Sequence, residues 1–157
     1  MNQDTVKRVK DTEQPFKIKR SATGLGMFAT RRIPKGKKIV EYTGPRVPNE
    51  IVEKSNGKYF FGVTKKWSID GSGRDNLARY VNHSCAPNAE ALISRSRVWI
   101  WSCKTIQPGE EIVYDYGEEY FDGIIKDIGC KCAKCAPKFH RNGKVGKQSV
   151  KAKRGSR

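Results

Sequence analysis

Residues 76–88 read Asn76-Leu77-Ala78-Arg79-Tyr80-Val81-Asn82-His83-Ser84-Cys85-Ala86-Pro87-Asn88, a run dense in polar groups set between apolar ones. Asn82 and His83 can orient a backbone or a ligand by hydrogen bonds. Taken alone, a histidine beside a cysteine reads as structural rather than catalytic. Farther along, Glu110-Glu111-Ile112-Val113-Tyr114-Asp115-Tyr116-Gly117 puts Tyr114 and Tyr116 on one strand face and Asp115 on the other. Residue type alone makes two such phenols either core or a polar lining, and core is the plainer reading.

Around these segments the chain is cut into short β-branched or aromatic runs bounded by Gly, Pro or charge. They are Lys38–Tyr42, Tyr59–Val63, Trp67–Asp70, Ala89–Ile93, Val98–Cys103 and Glu111–Tyr114. Turns are marked at Pro34-Lys35-Gly36, Thr43-Gly44-Pro45, Gly71-Ser72-Gly73 and Pro108-Gly109. Helical signal is sparse: Asn49 is placed to cap a short turn through Ser55, and Asn76 another through Val81. The pattern predicts a mainly β fold of small antiparallel sheets with little helix. Thr23-Gly24-Leu25-Gly26-Met27-Phe28 holds a lone Gly-x-Gly without a third glycine or a long helix after it. It reads as a tight bend, and Ala29–Gly36 behind it as a strand leading to a turn.

Five cysteines, three of them in the C-x-C-x-x-C run Cys130, Cys132 and Cys135, form a metal pattern for a reducing compartment rather than a disulfide framework. Three thiolates this close suit one tetrahedral zinc ion. The fourth ligand is open: His140 locally, or Cys85 or Cys103 from a distance. Cys103, in a strand-like run, reads as core filler.

The 157 residues make one domain with a modest core. No apolar run approaches the ~18 residues of a membrane span, and the charged N-terminus predicts no secretory signal. The formal net charge is +16, and residues 138–157 carry eight Lys or Arg and no acid. A stretch so poor in apolar residues cannot offset its ordering entropy. Residues 1–14 are therefore expected as a flexible basic N-terminus and 143–157 as a disordered basic tail, which either contacts DNA or another polyanion or serves only solubility.

Taken together, the motifs resemble the SET-domain family of protein lysine methyltransferases. Four signatures stand in the family's order: Gly24-Leu25-Gly26 with Pro34-Lys35-Gly36; Glu41-Tyr42-Thr43-Gly44; Asn82-His83-Ser84-Cys85 with Pro87-Asn88; and Gly109-Glu110-Glu111 leading to Asp115-Tyr116. A post-SET-like cysteine cluster follows. The resemblance covers about residues 15–139, implying a SET domain over 15–128 and a zinc segment over 129–142. Three positions depart from the family's usual form: C-x-C-x-x-C for C-x-C-x₄-C, Asp75 for a glycine, and Tyr80 for a phenylalanine.

The resemblance implies a mainly β SET fold with a knot-like C-terminal threading. It implies methylation of a protein lysine by S-adenosylmethionine. Thr23, Gly24, Leu25, Gly26, Tyr59, Arg79, Asn82, His83 and Phe139 then hold that cofactor. Tyr116 stands at the transfer point, Tyr42 in the lysine channel, and Tyr114 limits the product to monomethyl-lysine. The resemblance also implies a Zn²⁺ ion held by Cys85, Cys130, Cys132 and Cys135. The implied substrate is a histone or a basic DNA-packaging protein. The implied place is intracellular: the nucleus or chromatin in a eukaryote, the cytoplasm or export to a host in a bacterium. A rival reading is a basic, zinc-stabilised nucleic-acid binder with a decayed methyltransferase site; the presence of Tyr116, Asn82 and His83 favours the enzyme.

Overall fold

A computed structural model describes residues 14–136. The expectations for Phe139, His140 and both basic ends lie outside those residues. The chain is mainly β, as the pattern of short runs predicts.

The described residues open with a hairpin, β1 (Phe16–Ser21) and β2 (Gly24–Ala29), in continuous register from Phe16 opposite Ala29 to Ser21 opposite Gly24. This corrects the reading of the glycine segment. Gly24, Leu25 and Gly26 lie in a strand, and the bend is Ala22-Thr23 before them. Of the strand expected to lead from Ala29 into a turn, only Ala29 is strand, as the end of β2; the turn forms at Lys35-Gly36, and between them the chain is a loop bridged from Ile33 to Ile106. Met27 and Ala29 point inward on β2, so the hydrophobic drive lies within the glycine-rich run itself.

Next come β3 (Lys38–Tyr42), β4 (Arg46–Pro48), the one-turn helix α1 (Asn49–Val52), β5 (Phe60–Gly62) and β6 (Trp67–Asp70). A 3₁₀ turn (Leu77–Tyr80) leads into β7 (Asn82–His83), β8 (Ala89–Ser94), β9 (Arg97–Ser102) and β10 (Glu111–Tyr114). Strands β4, β6 and β5 form a small antiparallel sheet. The larger sheet runs β1-β2-β10-β8-β9-β3, with β7 alongside β10. β10, late in the chain, is thus seated between strands from the start and the middle. It pairs antiparallel with β2 and parallel with β7 and β8.

β9 shows the two-residue period: Val98, Ile100 and Ser102 are buried, while Trp99 and Trp101 turn outward. Lys38 lies over both tryptophan rings, at 4.2 and 5.4 Å from their centroids. The core gathers Met27, Val98, Ile100, Ile106 and Ile112.

Two capping expectations are corrected. Asn49 is the first residue of α1 rather than its cap, and the helix ends at Val52. Its amide reaches the Thr64 carbonyl at 3.0 Å and accepts from Ser68 Oγ at 2.7 Å. Asn76 does precede the 3₁₀ turn but makes no side-chain cap. Buried instead, it accepts from the Thr43 N–H at 3.1 Å and donates to the Gly71 carbonyl at 3.0 Å. In both cases a tertiary partner satisfies the amide, and the short helix goes without it.

Candidate active site and metal cluster

β10 ends at Tyr114, and three residues later Gly117 takes φ +91°, a left-handed backbone that other residues adopt only with strain. The reversal starts a helical stretch: α2 (Glu118–Tyr120), a π turn (Phe121–Ile125) and α3 (Lys126–Ile128). That stretch swings Tyr120 edge-on against Tyr116, with centroids 5.0 Å apart and planes at 87°. The Tyr114 and Tyr116 rings lie 4.8 Å apart, their planes tilted by 49°.

Tyr42 reaches the same place from β3. Its hydroxyl donates to the Tyr59 carbonyl at 2.7 Å, Tyr116 donates to the Val81 carbonyl at 2.7 Å, and Tyr120 donates to the Lys58 carbonyl at 3.2 Å. Together with Phe61 these rings wall a cleft of about 500 Å³. Burial first, then the neighbouring charged or phenolic groups, pushes Tyr42, Tyr114 and Tyr116 well above the usual phenol range. At neutral pH all three are therefore protonated, able to orient a partner but not to act as phenolate bases.

A second cleft of about 330 Å³ is lined by Thr23, Asn82 and His83 on one side and by Gly129, Cys130 and Cys132 on the other. Its size falls in the range of roughly 300–1,000 Å³ typical of small-molecule sites. Lys58, Tyr116, Tyr120 and Ile124 line both clefts, so the two meet at Tyr116.

Asn82 ties this second cleft to the hairpin: its amide nitrogen lies 2.8 Å from Glu111 Oε1, 3.0 Å from the Leu25 carbonyl and 3.1 Å from Ser21 Oγ. Thr23 sits in the hairpin turn, its N–H 3.2 Å from Ser21 Oγ. Gly24, Leu25 and Gly26 follow on β2. Tyr59 and Arg79 are placed differently. Arg79 stacks on the Tyr59 ring at 4.4 Å, donates to the Ser72 carbonyl, and both residues line the larger cleft. Arg79 Nε is buried and has no hydrogen-bond partner among the described residues.

The cysteine sulfurs of Cys85, Cys130, Cys132 and Cys135 all lie within 4.8 Å of one another. Cys85 is 3.8 Å from both Cys130 and Cys135. A tetrahedron with metal–sulfur bonds of about 2.3 Å has edges of about 3.8 Å, so the four sulfurs fit one tetrahedral ion. Burial, then the neighbouring thiols, pushes the Cys85 thiol up to about 12, an arrangement that a bound cation would relieve. Cys103 is half-buried and outside this group, its sulfur 3.9 Å from the Pro87 carbonyl.

Sequence reasoning missed Tyr120, Lys58 and the Val81 carbonyl. A signal existed only for Tyr120, an aromatic three residues beyond Gly117.

The SET-domain family model matches residues 24–117. The H3 lysine-4-specific histone-lysine N-methyltransferase of Chaetomium globosum is 32% identical over 149 residues, covering 86% of this chain and 14% of that protein. The histone-lysine N-methyltransferase Set2 of Drosophila melanogaster is 34% identical over 125 residues, 71% of this chain and 5% of that protein. Human histone-lysine N-methyltransferase 2D is 34% identical over 121 residues, 69% of this chain and 2% of that protein. The chain thus spans 14% or less of the length of these relatives. A curled β fold, paired clefts meeting at Tyr116 and a matched segment of more than half its length show that the chain belongs to the SET-domain family.

Proposed function

We propose that this chain is a protein-lysine N-methyltransferase using S-adenosylmethionine, with a histone or similarly basic protein as substrate. The observation that carries the reading is the meeting of the two clefts at Tyr116. The smaller cleft, lined by Thr23, Asn82 and His83, is assigned to the cofactor, with the Gly24–Gly26 segment following Thr23 on β2. The larger aromatic cleft, with Tyr42 and Tyr114, is assigned to the substrate lysine. Tyr59, next to the shared Lys58, and Arg79 stacked on it are assigned to the rim where cofactor and substrate meet. When bound, the cofactor supplies a methyl carbon activated by positive sulfur, so alignment rather than a nucleophilic residue sets the rate.

The chain's own residues do the aligning. A lysine ammonium has a reference pKa of about 10.4 and must lose its proton before it can attack. The aromatic cleft disfavours the charged form by desolvation, although attraction between cation and ring opposes this in part. The Tyr116 proton is committed to the Val81 carbonyl, which leaves the phenol oxygen as an acceptor at the meeting point. That oxygen and the carbonyl together orient the amine.

The metal is read as zinc, held by Cys85, Cys130, Cys132 and Cys135, which ties the segment after α3 to the loop after β7. A nuclear or chromatin setting agrees with the relatives' names, and DNA contact is assigned to the basic C-terminal residues. The test is incubation with labelled S-adenosylmethionine and a panel of basic proteins including histones, with mass-spectrometric mapping of modified lysines. Label on a lysine side chain supports the reading; folded, metal-loaded protein that transfers none overturns it.

A further inference from the structure

His83 touches both halves of the site. Its ring is nearly buried, 7% exposed, and held between Tyr116 and Phe121, with centroids at 5.4 and 5.6 Å. Nδ1 accepts the Tyr116 backbone N–H at 3.2 Å. A nitrogen that accepts carries no proton, so the ring proton sits on Nε2. Nε2 faces Cys85 Sγ at 3.4 Å, within reach of an N–H to sulfur hydrogen bond. The remaining charged neighbour, Asp115, stands 3.8 Å from Nδ1 with its carboxylate largely in solvent.

We propose that His83 is a positioning residue that couples the cysteine metal cluster to Tyr116, donating through Nε2 to the Cys85 thiolate while Nδ1 anchors the Tyr116 backbone. The inference rests on reading the four cysteines as a zinc site. A thiolate bound to metal is a strong acceptor and fixes the imidazole's tautomer and tilt; the fixed ring then fixes the backbone that carries the transfer-point phenol. Loss of the metal removes that acceptor, and Tyr116 loses its anchor although it is no metal ligand itself.

The test uses the zinc-loaded chain and three substitutions. Glutamine carries its amide near the place of Nε2, asparagine near that of Nδ1, and phenylalanine offers neither. Zinc affinity is read by competition with a chromophoric chelator, and Tyr116 by its backbone ¹⁵N–¹H signal before and after zinc removal. His83→Gln is expected to keep zinc affinity near wild type, while His83→Asn and His83→Phe lower it by about 10–100-fold. In wild type the Tyr116 amide shifts when zinc leaves; in all three variants that shift is lost. Wild-type zinc affinity in His83→Asn, or an undiminished Tyr116 response in His83→Gln and His83→Asn, overturns the coupling. Absence of stoichiometric zinc from the purified chain overturns the metal reading itself, a separate failure.

Discussion

Tyr116 keeps its proton through the working pH range, because burial and the surrounding phenols hold it far above neutrality and Val81 takes its hydrogen bond. The group that titrates in the reaction is then the substrate amine. Below the amine's pKa its reactive fraction rises about tenfold per pH unit. The rate with a lysine peptide should therefore climb from pH 6.5 to 8.5, and Tyr116→Phe should lower it about 10²-fold or more while leaving the slope unchanged. Pre-steady-state turnover across pH measures both; a slope that vanishes in the variant would make Tyr116 the titrating base. Tyr114 is buried against Tyr116; in the proposed reading its hydroxyl occupies volume that a methylated amine would need. The expected product is monomethyl-lysine, and Tyr114→Phe should shift it toward di- and trimethyl-lysine, read by mass spectrometry after long incubation with excess cofactor.

At the scale of elements, the site depends on how β3 meets the loop after β6. A Cβ built on Gly71 falls 2.3–2.4 Å from ring atoms of Tyr42, a side chain only 5% exposed. Neither the packed ring nor its bond to Tyr59 can yield cheaply. Gly71→Ala should cost about 1–3 kcal/mol, as overpacking does, lower the melting temperature by several degrees and raise the peptide KM. Asn76→Ala leaves the Thr43 N–H and the Gly71 carbonyl without their partner, at a cost of about 1–3 kcal/mol in denaturant melts. The same elements explain which local readings failed. Asn49 and Asn76 have the composition of helix caps, yet their amides are used to join strands and loops far apart in the chain. The glycine pair reads as a bend until Phe16–Ser21 is laid beside it, where alternation of Phe16 and Ile18 with Lys17 and Lys19 makes a strand partner.

For the whole molecule, the cysteine cluster joins the chain's last described segment to its middle, with Cys85 45 residues before Cys130. Stripping the metal with a chelator should loosen residues 129–136 and the smaller cleft, seen as faster amide exchange there while the β8–β9 core keeps its protection. The C-terminal residues 143–157 hold six of the chain's basic residues and no acid. Deleting them should leave turnover on a short peptide near wild type. It should flatten the slope of log K for DNA against log salt by about 5 if all six charges touch phosphates. An unchanged slope would assign the tail to solubility alone.

Much of the architecture was legible in the sequence, because short β-branched runs and Gly or Pro turns report local backbone preference. The middle strands β3, β6, β8, β9 and β10 could be read this way. The candidate chemistry was legible in its residue types: clustered thiols, an Asn-His pair and neighbouring tyrosines. What only the tertiary structure decided is which of these groups meet. The order of strands in the larger sheet brings β7 beside β10, and with it His83 beneath Tyr116 and Cys85 among three distant cysteines. The helical stretch that adds Tyr120 and closes both clefts follows from Gly117's left-handed turn and from packing against rings supplied elsewhere. A local pattern encodes the backbone of its own few residues; contacts across 30 or 50 residues depend on how the sheets close, and no window of sequence contains that.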